Sequence, residues 1–333
     1  MELSIEQYLR ESRQLLKMGE TAYEFNKVIL SSLNSFVKEY DEKINIVGIF
    51  TPEYRNTIVT LDVPYIVLDF SIMDLFVELS YIYNNNDWGR YKYLYYTLSQ
   101  QPEYEAGDID KVFFYEALAA RYFNDEKNRV VEESKNISHM VLSFYFIALH
   151  ELFHHYEKRF SANDYHKRLR EYIETIEYGG TFCTNTNDQI MSEVICDTRS
   201  IIYLMDQKIG YQKILVNNKD ELFEICLDTL VQLTIIRVLL RKINNINDIT
   251  KRVQATFGWI ATYWSDYQAF KDIDYLPIIE RAKNKIKLFM QKTTEIAKTD
   301  EDEDALIPNF SAEEKIELLT SLQNIKDGTI MRL

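Results

Sequence analysis

Apolar positions recur at three- and four-residue spacing along most of this chain, the signature of amphipathic helices, and one short region departs from it. Ser4 followed by Gln7 forms a capping-box pattern opening one or two helices that reach about Tyr40. Val47 to Phe50, Thr57 to Val63 and Tyr65 to Phe70 are β-branched and aromatic runs broken by Pro52 and Pro64, so they predict short strands in a small sheet. Helical spacing returns at Ile72 to Tyr83, and Asn84-Asn85-Asn86-Asp87 is a turn. Tyr91 to Ser99 fits helix or strand equally well.

Helices are then expected at Lys111 to Phe123 and at Asn136 to Arg159, the second with no internal Gly or Pro. A polar helical stretch at His166 to Ile176 leads to Gly179-Gly180 and a loop, Thr181 to Asn187. There Thr186 and Gln189 offer a second capping box for a helix through Leu204. Asp220 to Lys242, Thr250 to Phe270 and Leu276 to Ala297 follow as helices. Thr299 to Ala305 is an acidic run expected as a linker, and Ser311 with Glu314 caps a last short helix. The fold class predicted is mainly α (α+β), with a small N-terminal sheet near the central helix. Three regions are expected: 1–135 with helices and short strands, 136–298 with catalytic helices and a helical C-terminal lobe, and 299–333 as acidic linker and terminal helix.

Composition narrows the function. Nine Gly and five Pro in 333 residues leave few turn-makers for a many-stranded architecture. The net charge of -14, without a basic patch, argues against nucleic-acid binding and leaves a neutral or basic polypeptide as the favoured partner. Cys183, Cys196 and Cys226 are an odd number without repeated spacing, which supports neither a disulfide framework nor a multi-cysteine zinc module and fits a reducing cytoplasm. Met1 to Glu20 has no apolar core of a secretory signal, and Val141 to Leu149 is too short to span a bilayer. A soluble cytoplasmic protein with no membrane partner is expected; the oligomeric state is left open.

All five histidines, His139, His150, His154, His155 and His166, fall within 28 residues. His150-Glu151-Leu152-Phe153-His154 is an H-E-x-x-H arrangement on the predicted central helix. Positions i and i+4 lie about 40° apart on a helix, so two imidazole nitrogens can reach one ion, with Glu151 beside it as a general base for metal-assisted hydrolysis. A catalytic zinc ion needs a third protein ligand. The metzincin extension would need glycine at Glu157 and histidine at Phe160, and an aspzincin would need an acid where Cys183 follows Gly180-Thr181. Downstream, Glu193-Val194-Ile195-Cys196-Asp197 sets two carboxylates one turn apart.

These two motifs, with 38 residues intervening between His154 and Glu193, resemble those of the gluzincins, zinc metallopeptidases with H-E-x-x-H on one helix and E-x-x-x-D on a later one. The resemblance covers about residues 144–204. It implies Zn2+ held by His150, His154 and Glu193, Glu151 as catalytic base, Asp197 fixing the tautomer of a ligand histidine, and a peptide or protein as substrate. A narrower resemblance, in length and mid-chain motif, is to the Lit-type phage-exclusion peptidases, cytoplasmic proteins that cleave a translation elongation factor. A non-catalytic helical metal-binding interaction protein, or a defence or toxin-like protease for one folded target, remains the alternative.

Other candidates carry less. His139, eleven residues before His150, is about 16 Å away along a helix and cannot share its ion. His155 is rotated by about 100° from His154. Tyr178, Tyr203 and His166 are the nearest oxyanion candidates in sequence, each more often a packing or surface residue. Cys196 reads as a small buried hydrophobe, and Trp259 and Trp264 as core aromatics.

Overall fold

The computed structural model describes residues 4–13, 17–19, 24–51, 54, 56–122, 137–160, 167–168, 171, 177–178, 181–182, 188–206, 218–240, 246–264, 267, 270–303, 310–325 and 329–331. The chain is mainly helical with a small sheet, as its hydrophobic periodicity predicts. In order the elements are α1 (Ile5–Arg13), β1 (Lys17–Gly19), α2 (Glu24–Tyr40), β2 (Asn45–Phe50), β3 (Thr57–Thr60) and β4 (Pro64–Asp69). Then come α3 (Ile72–Asn85), α4 (Trp88–Ala106), α5 (Ile109–Tyr122) and α6 (Ile137–Phe160). A two-stranded ribbon, β5 (Glu177–Tyr178) with β6 (Thr181–Phe182), precedes α7 (Asp188–Asp206), α8 (Lys219–Leu239), α9 (Ile246–Tyr263) and α10 (Tyr275–Glu303). The chain closes with α11 (Ala312–Ile325) and β7 (Thr329–Met331).

The main sheet has the order β1-β7-β2-β4-β3. Its centre is the parallel pair β2 and β4, in register from Asn45 with Tyr65 to Ile49 with Asp69. Proline opens β4, where a missing backbone donor costs the ladder least, and the antiparallel β3 stops at Thr60 rather than Val63 because residues 61–63 form the bend. The strands expected from sequence are therefore present. The sheet also recruits the far end of the chain, since β7 lies between β1 and β2.

Helix boundaries follow local chemistry. Ser4 Oγ accepts from the Gln7 backbone N–H at 3.2 Å, capping α1. Asn86 turns the chain with a left-handed backbone (φ 52°), and Asp87 then caps α4 by accepting from Arg90 N at 3.1 Å. That cap launches a helix through Tyr91 to Ser99, where sequence alone did not choose. The acidic run from Thr299 is not a linker at its start: α10 continues to Glu303, since Asp and Glu do not break a helix and the next proline is Pro308. α9 starts at Ile246 and ends at Tyr263, so the helix expected to Phe270 is shorter; Phe270 still returns to the core against Phe223, 5.6 Å between ring centres. The capping box at Thr186 and Gln189, the stretch from His166 to Ile176 and Cys183 lie wholly or largely outside the described residues.

One core cluster gathers side chains from α2, the sheet and helices α3 to α10. At its centre α6 is buried on every side from Met140 to Phe153, as an all-round apolar helix must be. It packs on the sheet, where Phe144 stacks against Phe70 at 4.6 Å, and on α2, α7 and α8. Such burial leaves its polar groups no water, so each needs a protein partner. Ser143 accepts from Thr229 of α8 at 2.7 Å, Tyr145 shares a 2.6 Å hydrogen bond with Ser32 of α2, and Tyr156 donates to Asp41 just beyond α2. These bonds, with the packing, set the rotation and height of the helix that carries the histidines.

Candidate metal centre

His150 and His154 sit one turn apart on α6, and Glu193 and Asp197 one turn apart on α7, which packs directly against it. The periodicity that aligns each pair on a helix face is local; what aims the two faces at each other is the burial of Leu152 and Phe153 on α6 and Val194 and Cys196 on α7. The histidine Nε2 atoms stand 3.0 Å apart. Glu193 reaches both: Oε2 is 3.5 Å from His150 Nε2, and Oε1 is 3.4 Å from His154 Nε2. Ligand atoms about 2.0 to 2.1 Å from one tetrahedral ion are about 3.3 Å from one another, so these separations fit the group to zinc. The two-nitrogen, one-carboxylate donor set is also one that zinc accepts with a coordination position to spare.

The outer groups favour the same use. His150 Nδ1 lies 2.9 Å from Asp197 Oδ1, close enough for a strong ion pair although short of a well-aligned hydrogen bond. That contact holds a ring proton on Nδ1 and turns Nε2 toward Glu193 and His154. His154 Nδ1 in turn lies 3.3 Å from Ser192 Oγ. Exposure grades across the group: Asp197 is 0% exposed, His150 7%, Glu193 18% and His154 22%. The centre thus opens to solvent on its His154 side. Glu151 is buried beside His150 and stands outside the three-ligand group.

Two arginines, unforeseen in the sequence, complete the electrostatics. Arg252 of α9 donates Nε to Asp197 Oδ2 and Nη2 to Asp197 Oδ1, both at 2.7 Å, and its Nη1 pairs with Glu193 Oε2. Arg237, in the last turn of α8, lies 3.4 Å from the same Glu193 oxygen. Burial alone would raise both carboxylates, but Arg252 and the two histidines hold Glu193 well below the ordinary range, and Arg252 and His150 hold Asp197 below it. Burial likewise opposes the imidazolium of His150, yet Asp197 and Glu193 outweigh it and push His150 up to about 9. Arg252 had one sequence signal: it shares the face of Thr256, Trp259 and Ile260, so a charge stood in register with buried positions. Arg237 had none beyond its place in a last helical turn.

The remaining sequence candidates that the structure describes lie outside the three-ligand group. His139 lies 3.5 Å from Glu221, away from the centre, and His155 packs edge-on against Tyr156 at 5.0 Å. Tyr203 is clamped among Phe36, Tyr40 and Phe153. Cys196 and Cys226 are buried, and burial pushes the Cys226 thiol up to about 12. Trp259 is fully buried with Met191, Val194 and Ile195, behind α7. His166 and the side chain of Tyr178 are outside the description. Among the described residues no helix is long and apolar enough to cross a membrane. The chain matches no protein-family model, no curated protein and no solved structure.

Proposed function

We propose that this chain is a zinc-dependent peptidase, of the gluzincin kind, in which His150, His154 and Glu193 hold the ion and Glu151 is the general base. The observation that carries this reading is the convergence of three ligand atoms, all within 4.8 Å of one another, from two separate helices. Zinc, when bound, supplies Lewis-acid polarisation of a peptide carbonyl and brings the pKa of a water to about 7. The chain's own residues do the rest. Asp197 holds the His150 ring in the tautomer that presents Nε2, and Ser192 steadies His154. Glu151 takes the proton of the attacking water and returns it to the leaving amine as the C–N bond breaks. The acidic surface suits a neutral or basic polypeptide, and a cytoplasmic location is part of the same reading.

Substituting Glu151→Gln should leave zinc content unchanged and lower peptide hydrolysis by roughly 10²- to 10⁴-fold. Turnover close to that of the unmodified protein would remove Glu151 from the reaction. The engagement of Glu193 by Arg252 favours a second reading, in which Glu193 belongs to a structural ion-pair hub of a non-catalytic helical protein. Elemental analysis separates the two: zinc stoichiometry should fall in both His154→Ala and Glu193→Ala, and an unchanged value in Glu193→Ala would favour the hub.

A further inference from the structure

Arg237 and Arg252 meet the same oxygen of Glu193 and are built for different work. Arg252 is 10% exposed and directs a donor from each of its three nitrogens to Asp197 or Glu193. Arg237 is 42% exposed and, among the described residues, makes one ion-pair contact, the 3.4 Å approach of Nη1 to Glu193 Oε2. A guanidinium has five N–H donors arranged to take a carboxylate in two parallel hydrogen bonds, and among the described residues most of that capacity is unspent. Its position is at the edge of the candidate centre, on a carboxylate that also touches His154, the more exposed of the two histidines.

Charge balance sharpens the contrast. With a divalent ion bound, that ion and the two arginines outweigh Glu151, Glu193 and Asp197 by one positive charge, within a chain whose formal net charge is -14. A carboxylate arriving at this surface is repelled everywhere except where a local cation receives it. We infer that Arg237 is a specificity-determining residue that binds a carboxylate of the substrate beside the metal centre. This rests on the peptidase reading above. Two sources share that chemistry: the free C-terminal carboxylate of a peptide and the side chain of an acidic residue.

The test is a titration calorimetry series with three N-acetylated alanine tripeptides: one with a free C terminus, the same peptide as its amide, and the amide carrying one glutamate. Each is titrated into metal-free and zinc-loaded protein, with zinc content measured on the same samples. The unmodified protein should bind at least one carboxylate peptide about tenfold more tightly than the neutral amide. Whichever carboxylate peptide shows the preference identifies the source. Arg237→Ala should bind all three alike, and Arg237→Lys, which keeps the charge and loses the fork, should fall between. Equal binding of all three by the unmodified protein, or a preference undiminished in Arg237→Ala, overturns the assignment. Failure to take up zinc while the Arg237-dependent preference persists strikes only the metallopeptidase reading.

Discussion

His150 joins its neighbours through both ring nitrogens: Nδ1 faces Asp197 and Nε2 faces Glu193 and His154. In metal-free protein the pair of carboxylates keeps it protonated well above the ordinary histidine range, to about 9. The stabilising pair is complete below about pH 6.5, the value expected of an unfolded histidine, and is lost as pH rises through about 9. Melting curves of chelated protein should therefore show a decline between these limits that Asp197→Asn removes. The same proton competes with a metal, so zinc binding at pH 7 should release about one proton, measurable by calorimetry in buffers of different ionisation enthalpy. Arg252 answers to the same logic from the other side. Arg252→Met leaves the fully buried Asp197 without its guanidinium partner and should cost about 3 to 5 kcal/mol in denaturant titration. The juxtaposition of His150 and His154 was legible because positions i and i+4 share one helix face. Arg252 lies 55 residues beyond Asp197, and no local rule connects them.

Helix α6 owes its place to packing, and its interior from Met140 to Phe153 has no exposed face. Phe144, stacked on Phe70, joins it to the sheet, and Phe144→Ala should lower stability by about 3 to 5 kcal/mol through lost burial and the cavity left behind. Capping is a smaller, local matter. In α11 Ser311 Oγ accepts from Glu314 N at 3.2 Å while Glu314 accepts from Ser311 N at 2.8 Å, the reciprocal pair that the sequence pattern anticipated. Ser311→Ala should cost about 1 kcal/mol by the same denaturant measurement. Where no breaker follows, as at the acidic end of α10, charge alone does not stop a helix, which is why residues 299–303, expected as linker, are helical. Between Tyr91 and Ser99 aromatic residues serve strand and helix alike, and the Asp87 cap decided for helix.

Across the molecule, the two ends of the chain meet in one sheet. Ile49 pairs with Ile330 and Phe50 with Thr329, while β7 also pairs with β1. Deleting residues 329–333 should free one edge of β2 and detach β1, seen as faster amide hydrogen exchange at Ile49 and Phe50 with the β2 and β4 pair still protected. Nothing in Thr329–Met331 read as a strand, because three residues carry too little pattern to distinguish a strand from a tail. What the sequence alone determined is what repeats over short distances: the helical periodicity, the strands near Pro52 and Pro64, the helix caps, and two motifs whose residues share a face one turn apart. Tertiary structure decided which faces meet. It brought α6 against α7 so that His150 and His154 oppose Glu193, set Arg252 and Arg237 on those carboxylates, and closed the sheet with β7. Those contacts join residues far apart in the chain, where burial and shape rather than periodicity select the partner.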